Sequence, residues 1–319
     1  MANSSRQPIQ REHLPNIRGR YTPDAQLGRV SWFRTGGNAE VLCKPDDVED
    51  LREFVMGCPH DVPVTILGVL SNAIIRDGGV SGVVIRLGRE FANITPVGND
   101  CLQVGAAALD VNVAEAAAAH GIADLEFLCG VPGSIGGALA LNAGAYGSEL
   151  KDVLVSANFI DTKGKTHNVT ASDLNMGYRH SEIPQGWIGI SAVIQGSSGD
   201  PDKIRDHMTD IRDQRARTQP IRSQTGGSTF KNPTPEDMAE AGLPETTKAW
   251  QLVDMVGARG LMVGGAQMSE QHANFMINTG TATSSDLEML GEEVRRRVMD
   301  HCGYDLKWEI ARIGNPCGL

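Results

Sequence analysis

The residues best suited to chemistry lie in separate stretches of this 319-residue chain. Residues 126–147, EFLCGVPGSIGGALALNAGAYG, carry glycines at 130, 133, 136, 137, 144 and 147 in an otherwise apolar, alanine-rich run. Each glycine costs roughly 0.5–1 kcal/mol against alanine inside a regular element, so a plain core helix accounts for them poorly. Close approach of the backbone to a ligand accounts for them better. Pro132, Gly133, Ser134, Ile135, Gly136 and Gly137 predict a turn entering a helix, whose unpaired N–H groups face a phosphate or pyrophosphate without needing a lysine or arginine. Tight bends and close helix contacts use the same composition, so the glycines alone leave a structural explanation open.

Other stretches add donors and charge. Gly68-Val69-Leu70-Ser71-Asn72 is a glycine turn with a Ser-Asn pair, a second place where backbone and side-chain donors hold phosphate oxygens. Residues 224–233, QTGGSTFKNP, set Lys231 and Asn232 directly before a proline, so several donors share a short, constrained segment. Tyr178-Arg179-His180-Ser181 reads by composition as a surface or strand-edge pair, and Glu309 stands in the run WEIARIG near the C-terminus.

The elements between these stretches must position them. A strand over 39–43 follows the Gly36-Gly37 turn, and a helix over 46–56 begins with acidic residues that suit its positive end. Buried strands are expected over 62–67 and 83–87, then a strand over 102–105 and an alanine-rich helix over 110–120, with Asp110 as its cap and Gly121 as its stop. Strands follow near 153–161, 166–169 and 188–194. The run 202–217 predicts a partly exposed helix with Ile204, Met208 and Ile211 on one face; Arg215 and Arg217 at its end could stand near a diphosphate. A broken helix over 249–263, a turn, loop and strand over 264–278, and an amphipathic helix over 285–302 come next. There Arg295, Arg296 and Arg297 complement the dipole, and a last strand spans 306–313.

At this length, with 40% hydrophobic residues, the chain has enough apolar material for two or three domains. A net charge of −10 argues against general nucleic-acid affinity while leaving room for a local basic pocket. Six scattered cysteines form no CxxC pair or Cys/His cluster, so no metal site is expected and reduced cytoplasmic thiols are the default. No apolar span is long enough for a membrane helix, and the N-terminal residues lack the core of a signal peptide. A Rossmann domain is not expected, because no GxGxxG follows an early strand with an acidic residue about 20 positions on.

The Gly68–Asn72 turn, the glycine-rich centre, the Tyr178-Arg179 pair and the GSTFKNP run, in this order, resemble the UDP-N-acetylenolpyruvoylglucosamine reductase family from about residue 27 to 314. The resemblance implies an α+β flavoprotein with a bipartite FAD-binding region of the PCMH/vanillyl-alcohol-oxidase type and a C-terminal α+β substrate-binding domain. Its implied boundaries are a mobile N-terminal arm at 1–26, FAD-binding subdomains at 27–88 and 89–201, and the substrate domain at 202–319. FAD contacts are implied at Gly68, Ser71 and Asn72, and at Gly130, Pro132, Gly133, Ser134, Gly136, Gly137 and Asn142. Leu70 departs from the family's LGxGSN pattern, which places glycine there, and predicts a stiffer turn.

By the same resemblance Arg179 stabilises negative charge on the substrate, Ser228 donates a proton and Glu309 is the third catalytic residue. Lys231 and Asn232 bind the uridine diphosphate part of the substrate, His180 is a bystander, and the chain has the family's shorter form, lacking an insertion with a substrate-binding tyrosine. The implied reaction uses NADPH and FAD to reduce UDP-N-acetylglucosamine enolpyruvate. A flavin oxidase of a hydroxy acid or alcohol would instead turn over with oxygen and without NADPH. A non-catalytic nucleotide-binding protein would leave Arg179, Ser228 and Glu309 unexplained.

Overall fold

The structure is a computed structural model that describes residues 9–317. Its first sheet has four strands in the order Arg20–Ala25, Ala39–Lys44, Val80–Ile85 and Val64–Ile66. The first pair is antiparallel and the others parallel. Apart from Ser81, the Val80–Ile85 strand is buried throughout, as a β-branched run in the middle of a sheet should be. The edge strand Val64–Ile66, expected to be buried, exposes Val64 and Ile66. Residues 20–25, assigned to a mobile arm, pair with Ala39–Lys44 in register from Arg20↔Lys44 to Ala25↔Ala39. Residues 1–8 of the arm expected over 1–26 lie outside the described residues.

The second sheet is an antiparallel set of five strands, ordered Thr166–Val169, Leu154–Ile160, Ile188–Gln195, Cys101–Gly105 and Ile94–Pro96. Ile188–Gln195 buries every second residue down to Ile194, the period of a strand with one face on a core. That core takes in the alanine face of the Asp110–Ala119 helix and Ile204, Met208 and Ile211 of the Pro201–Thr218 helix. The latter helix, which lies beyond the expected boundary at 202, therefore shares its core with the second sheet. Asp200 caps it, accepting from Asp202 N at 2.9 Å, and Pro201 opens it.

The third sheet, Gln224–Ser228, Phe275–Asn278, Ala266–Met268 and Met262–Val263, is antiparallel and packs against the Ser284–Cys302 helix. Thr283 and Asp286 form a reciprocal capping box at the start of this helix, and Gly303 at φ 74° ends it. Its three arginines are held by carboxylates, Arg295 by Glu292 and Asp305, and Arg296 and Arg297 by Glu293, which explains them better than the dipole. The chain then returns to its beginning: Ala311–Ile313 runs parallel to Ala73–Ile75. This strand is shorter than the expected 306–313, and Glu309 precedes it.

Candidate active site

A cavity of about 610 Å³ opens where the three parts meet, walled by the 68–73 and 130–134 turns, one face of the Ile135–Leu141 helix, Arg179, residues 226–228 and Glu309. The two glycine turns oppose each other: a Cβ on Gly68 would lie 3.2 Å from Ser134 Oγ, and Ser134 does not spend its hydroxyl on capping its own helix. A Cβ on Gly137 would meet nothing nearer than Ser134 Oγ at 4.0 Å, so its missing side chain leaves open space in the cavity wall. Gly133 is different, because a Cβ there would sit 2.7 Å from Asp110 Oδ2. Gly136 does not reach the wall; its N–H donates to Ala106 O at 2.7 Å, and a Cβ would press on that same carbonyl.

At one side Arg179 and Glu309 form an ion pair, Nε to Oε1 at 2.7 Å, while Arg179 Nη2 donates to Gly144 O at 3.1 Å. Arg179 occupies the left-handed region, φ 51°, in a tight turn closed by mutual Gly177 and His180 backbone hydrogen bonds. Glu309 is positioned by backbone: its N–H donates to Thr229 O at 2.9 Å, and its carbonyl accepts from Asn72 Nδ2 at 3.1 Å. Burial pushes the Glu309 carboxyl above its usual range, with Arg179 and Lys231 pulling against it. Ser228 ends its strand after Gly227, which takes φ 83°, and faces the same cavity. Asn274 clamps the next residue but one: its Oδ1 accepts from Phe230 N at 3.0 Å and its Nδ2 donates to Phe230 O at 2.8 Å.

The structure thus brings Gly68, Ser71, Asn72, Gly130, Pro132, Gly133, Ser134, Gly137, Arg179, Ser228 and Glu309 to one cavity. Asn142 is not among the residues that line it. It is fully buried in the left-handed conformation, and its amide is consumed by Glu149, Gly177 O and Lys151 N. Lys231 and Asn232 are not among the lining residues: Lys231 Nζ donates to Arg179 O at 3.4 Å, and Asn232 Oδ1 accepts from Ala249 N. Asp110 is not the cap of its helix; Leu109 holds that position and Asp110 begins the helix, buried at the cavity. Of the two arginines expected near a diphosphate, only Arg215 lines the cavity, and burial lowers its pKa. Tyr146 was missed. Its ring fills the space left open at Gly130, a partnership that sequence spacing of sixteen residues does not reveal.

The groups present fit a dinucleotide: glycine turns that admit close backbone approach, an apolar wall of Ala138 and Leu141, and the Arg215 cation. An α+β chain built in this way defines a flavin-dependent enzyme, and the family described as "FAD binding domain" matches residues 39–170. The family described as "UDP-N-acetylenolpyruvoylglucosamine reductase, C-terminal domain" matches residues 219–313. A UDP-N-acetylenolpyruvoylglucosamine reductase of Parvibaculum lavamentivorans is 54% identical over 95% of this chain and 94% of its own, and one of Gluconobacter oxydans 50% identical over 98% and 97%. The crystal structure of such a reductase from Thermus caldophilus, 30% identical, superposes with a TM-score of 0.77 over 93% of this chain and all of its own. The chain belongs to the UDP-N-acetylenolpyruvoylglucosamine reductase family of FAD-dependent oxidoreductases. The bipartite FAD-binding region followed by a C-terminal α+β domain agrees with the fold expected from the resemblance.

Proposed function

We propose that this enzyme reduces UDP-N-acetylglucosamine enolpyruvate to UDP-N-acetylmuramate with NADPH as reductant, in the cytoplasm, as a step of peptidoglycan precursor synthesis. The convergence of Arg179, Ser228 and Glu309 on one cavity wall carries this reading. FAD, when bound, supplies the two-electron relay between the nicotinamide and the enolpyruvyl double bond.

Reduction at the methylene carbon leaves negative charge on the carbon beside the carboxylate, spread into that carboxylate as an enolate. Arg179 meets this charge. Its guanidinium is already fixed through Nε and Nη2, so it is oriented before charge develops, as transition-state stabilisation requires. Ser228 Oγ donates the proton to the carbon, and the family match of GSTFKNP supports that role. A hydroxyl serves as the acid because the enolate is strongly basic, and its proton is restored from neighbouring donors. Glu309 holds Arg179 in place. Its buried carboxyl also takes a proton more readily than an exposed one, which relieves its repulsion of the enolate. Lys231 and Asn232, outside the cavity lining, bind the uridine diphosphate part of the substrate.

The test separates the half-reactions. Wild type and Ser228→Ala are reduced with NADPH without oxygen, then mixed with the UDP-linked enolpyruvyl sugar while flavin absorbance is followed. Both proteins should bleach, and only wild type should recover its oxidised spectrum at speed. Equal recovery would remove Ser228 as the donor; recovery in neither would remove the substrate.

A further inference from the structure

Asp110 is a carboxyl with no use in the fold. It is fully buried, neither carboxyl oxygen has a hydrogen-bond partner among the described residues, and it lines the candidate cavity. An orphaned buried carboxyl of this kind costs stability, so a partner supplied from outside the fold is the economical explanation. Its surroundings identify the partner. Asp110 N donates to Gly133 O at 3.2 Å, and Ile135 N and Gly136 N donate to Ala108 O and Ala106 O, so the segment entering the helix is zipped against the second glycine turn. Oδ2 occupies the space where a Gly133 side chain would stand, next to Ser134, whose hydroxyl faces Gly68 of the first turn. These are the turns suited to phosphate.

We propose that Asp110 is a cofactor-binding residue, a carboxylic acid that donates its proton to a pyrophosphate oxygen of bound FAD. This rests on the flavin reading of the cavity. An ionised carboxylate there would repel the pyrophosphate, and a neutral acid provides a donor instead. Burial alone pushes the Asp110 carboxyl up to about 8. Of the charged groups on neighbouring elements, Glu115 of the same helix pairs with Arg212 and Glu126 faces His207 at 3.9 Å, while Arg215 lines the same cavity with its Nε donating to Gln219 at 3.1 Å. Cys129, on the adjoining 3-10 turn, donates its thiol to Met208 O at 3.6 Å.

The full-length protein stripped of flavin is titrated with FAD at pH 6 and pH 9, following flavin fluorescence. If only the protonated form binds well, wild type should bind about tenfold more weakly at pH 9, the fraction of acid left one unit above about 8. Asp110→Asn keeps a donor that does not titrate, so it should bind within about threefold of wild type at pH 6 and stay flat to pH 9. Asp110→Leu should lose at least about tenfold at pH 6. Wild-type affinity that is flat or rises with pH overturns the proposal, as does an Asp110→Asn profile that falls like wild type's. If Asp110→Leu fails to fold, the first two proteins still decide. Wild type that takes no FAD at either pH would overturn the flavin reading itself, and this assignment with it.

Discussion

Glu309 illustrates how a single carboxylate sets a trade between stability and chemistry. Burial raises its pKa above the unfolded 4.5 even though Arg179 and Lys231 attract its charge, so burial is the larger effect. A carboxyl with a raised folded pKa contributes stability that is fully present below the unfolded pKa. That contribution is lost as pH rises through the folded value, because the native state binds the extra proton only within that window. Glu309→Gln does not titrate and keeps an acceptor for Arg179. Urea denaturation of flavin-free protein should show the variant gaining on wild type as pH rises above the unfolded 4.5, while its turnover falls at least about tenfold with a smaller change in KM. A stability difference that is flat with pH would show that burial is not the dominant effect.

At the scale of elements, the sequence shows periodicity and caps more clearly than it shows which turn meets which. The helices Val48–Gly57, Pro201–Thr218 and Ser284–Cys302 lie within a few residues of their expected spans because apolar spacing and capping residues are local signals. The burial of Asp110 was not legible, since an aspartate before an alanine run looks like a cap until Gly133 is seen to lie against it. Nor was the structural work of Asn142 legible: it ends its helix in the left-handed conformation and accepts from Lys151 N, contacts that sequence spacing does not show. Leu70 was legible as a departure but not in its consequence. It adopts φ 58°, the conformation that suits the family's glycine, and buries its side chain with Leu67, Ala73 and Ile75. Leu70→Gly relieves about 1 kcal/mol of backbone strain but forfeits about 2–3 kcal/mol of burial. The variant should therefore unfold at lower urea, by about 1–2 kcal/mol, while FAD affinity changes only a few-fold. A more stable variant would mean that the strain outweighs the packing.

For the whole molecule, the site exists only where the first and last parts of the chain are docked, because the turn at 68–73 and Glu309 come from opposite ends of the sequence. The docking is specific. Ala311–Ile313 pairs with Ala73–Ile75, Arg76 forks onto Glu288 through Nε and Nη2 at 2.7 and 3.1 Å, and Asp77 accepts from Ser284 N, Ser285 N and Ser285 Oγ at 2.9–3.0 Å. Asp77 thus satisfies the first N–H groups of the last long helix from another part of the chain. Asp77→Ala leaves these donors to water and removes a negative charge from a helix N-terminus, which should cost about 1–3 kcal/mol. If FAD occupies the proposed cavity across the docked parts and not the unfolded chain, at 100 times its Kd it should return about 2.7 kcal/mol to wild type and variant alike. Thermal unfolding with and without flavin tests both statements. If Asp77→Ala loses stability but binds FAD with wild-type affinity, the contact secures the fold without shaping the cavity; if FAD affinity falls as well, the last helix is part of what holds the first glycine turn in place.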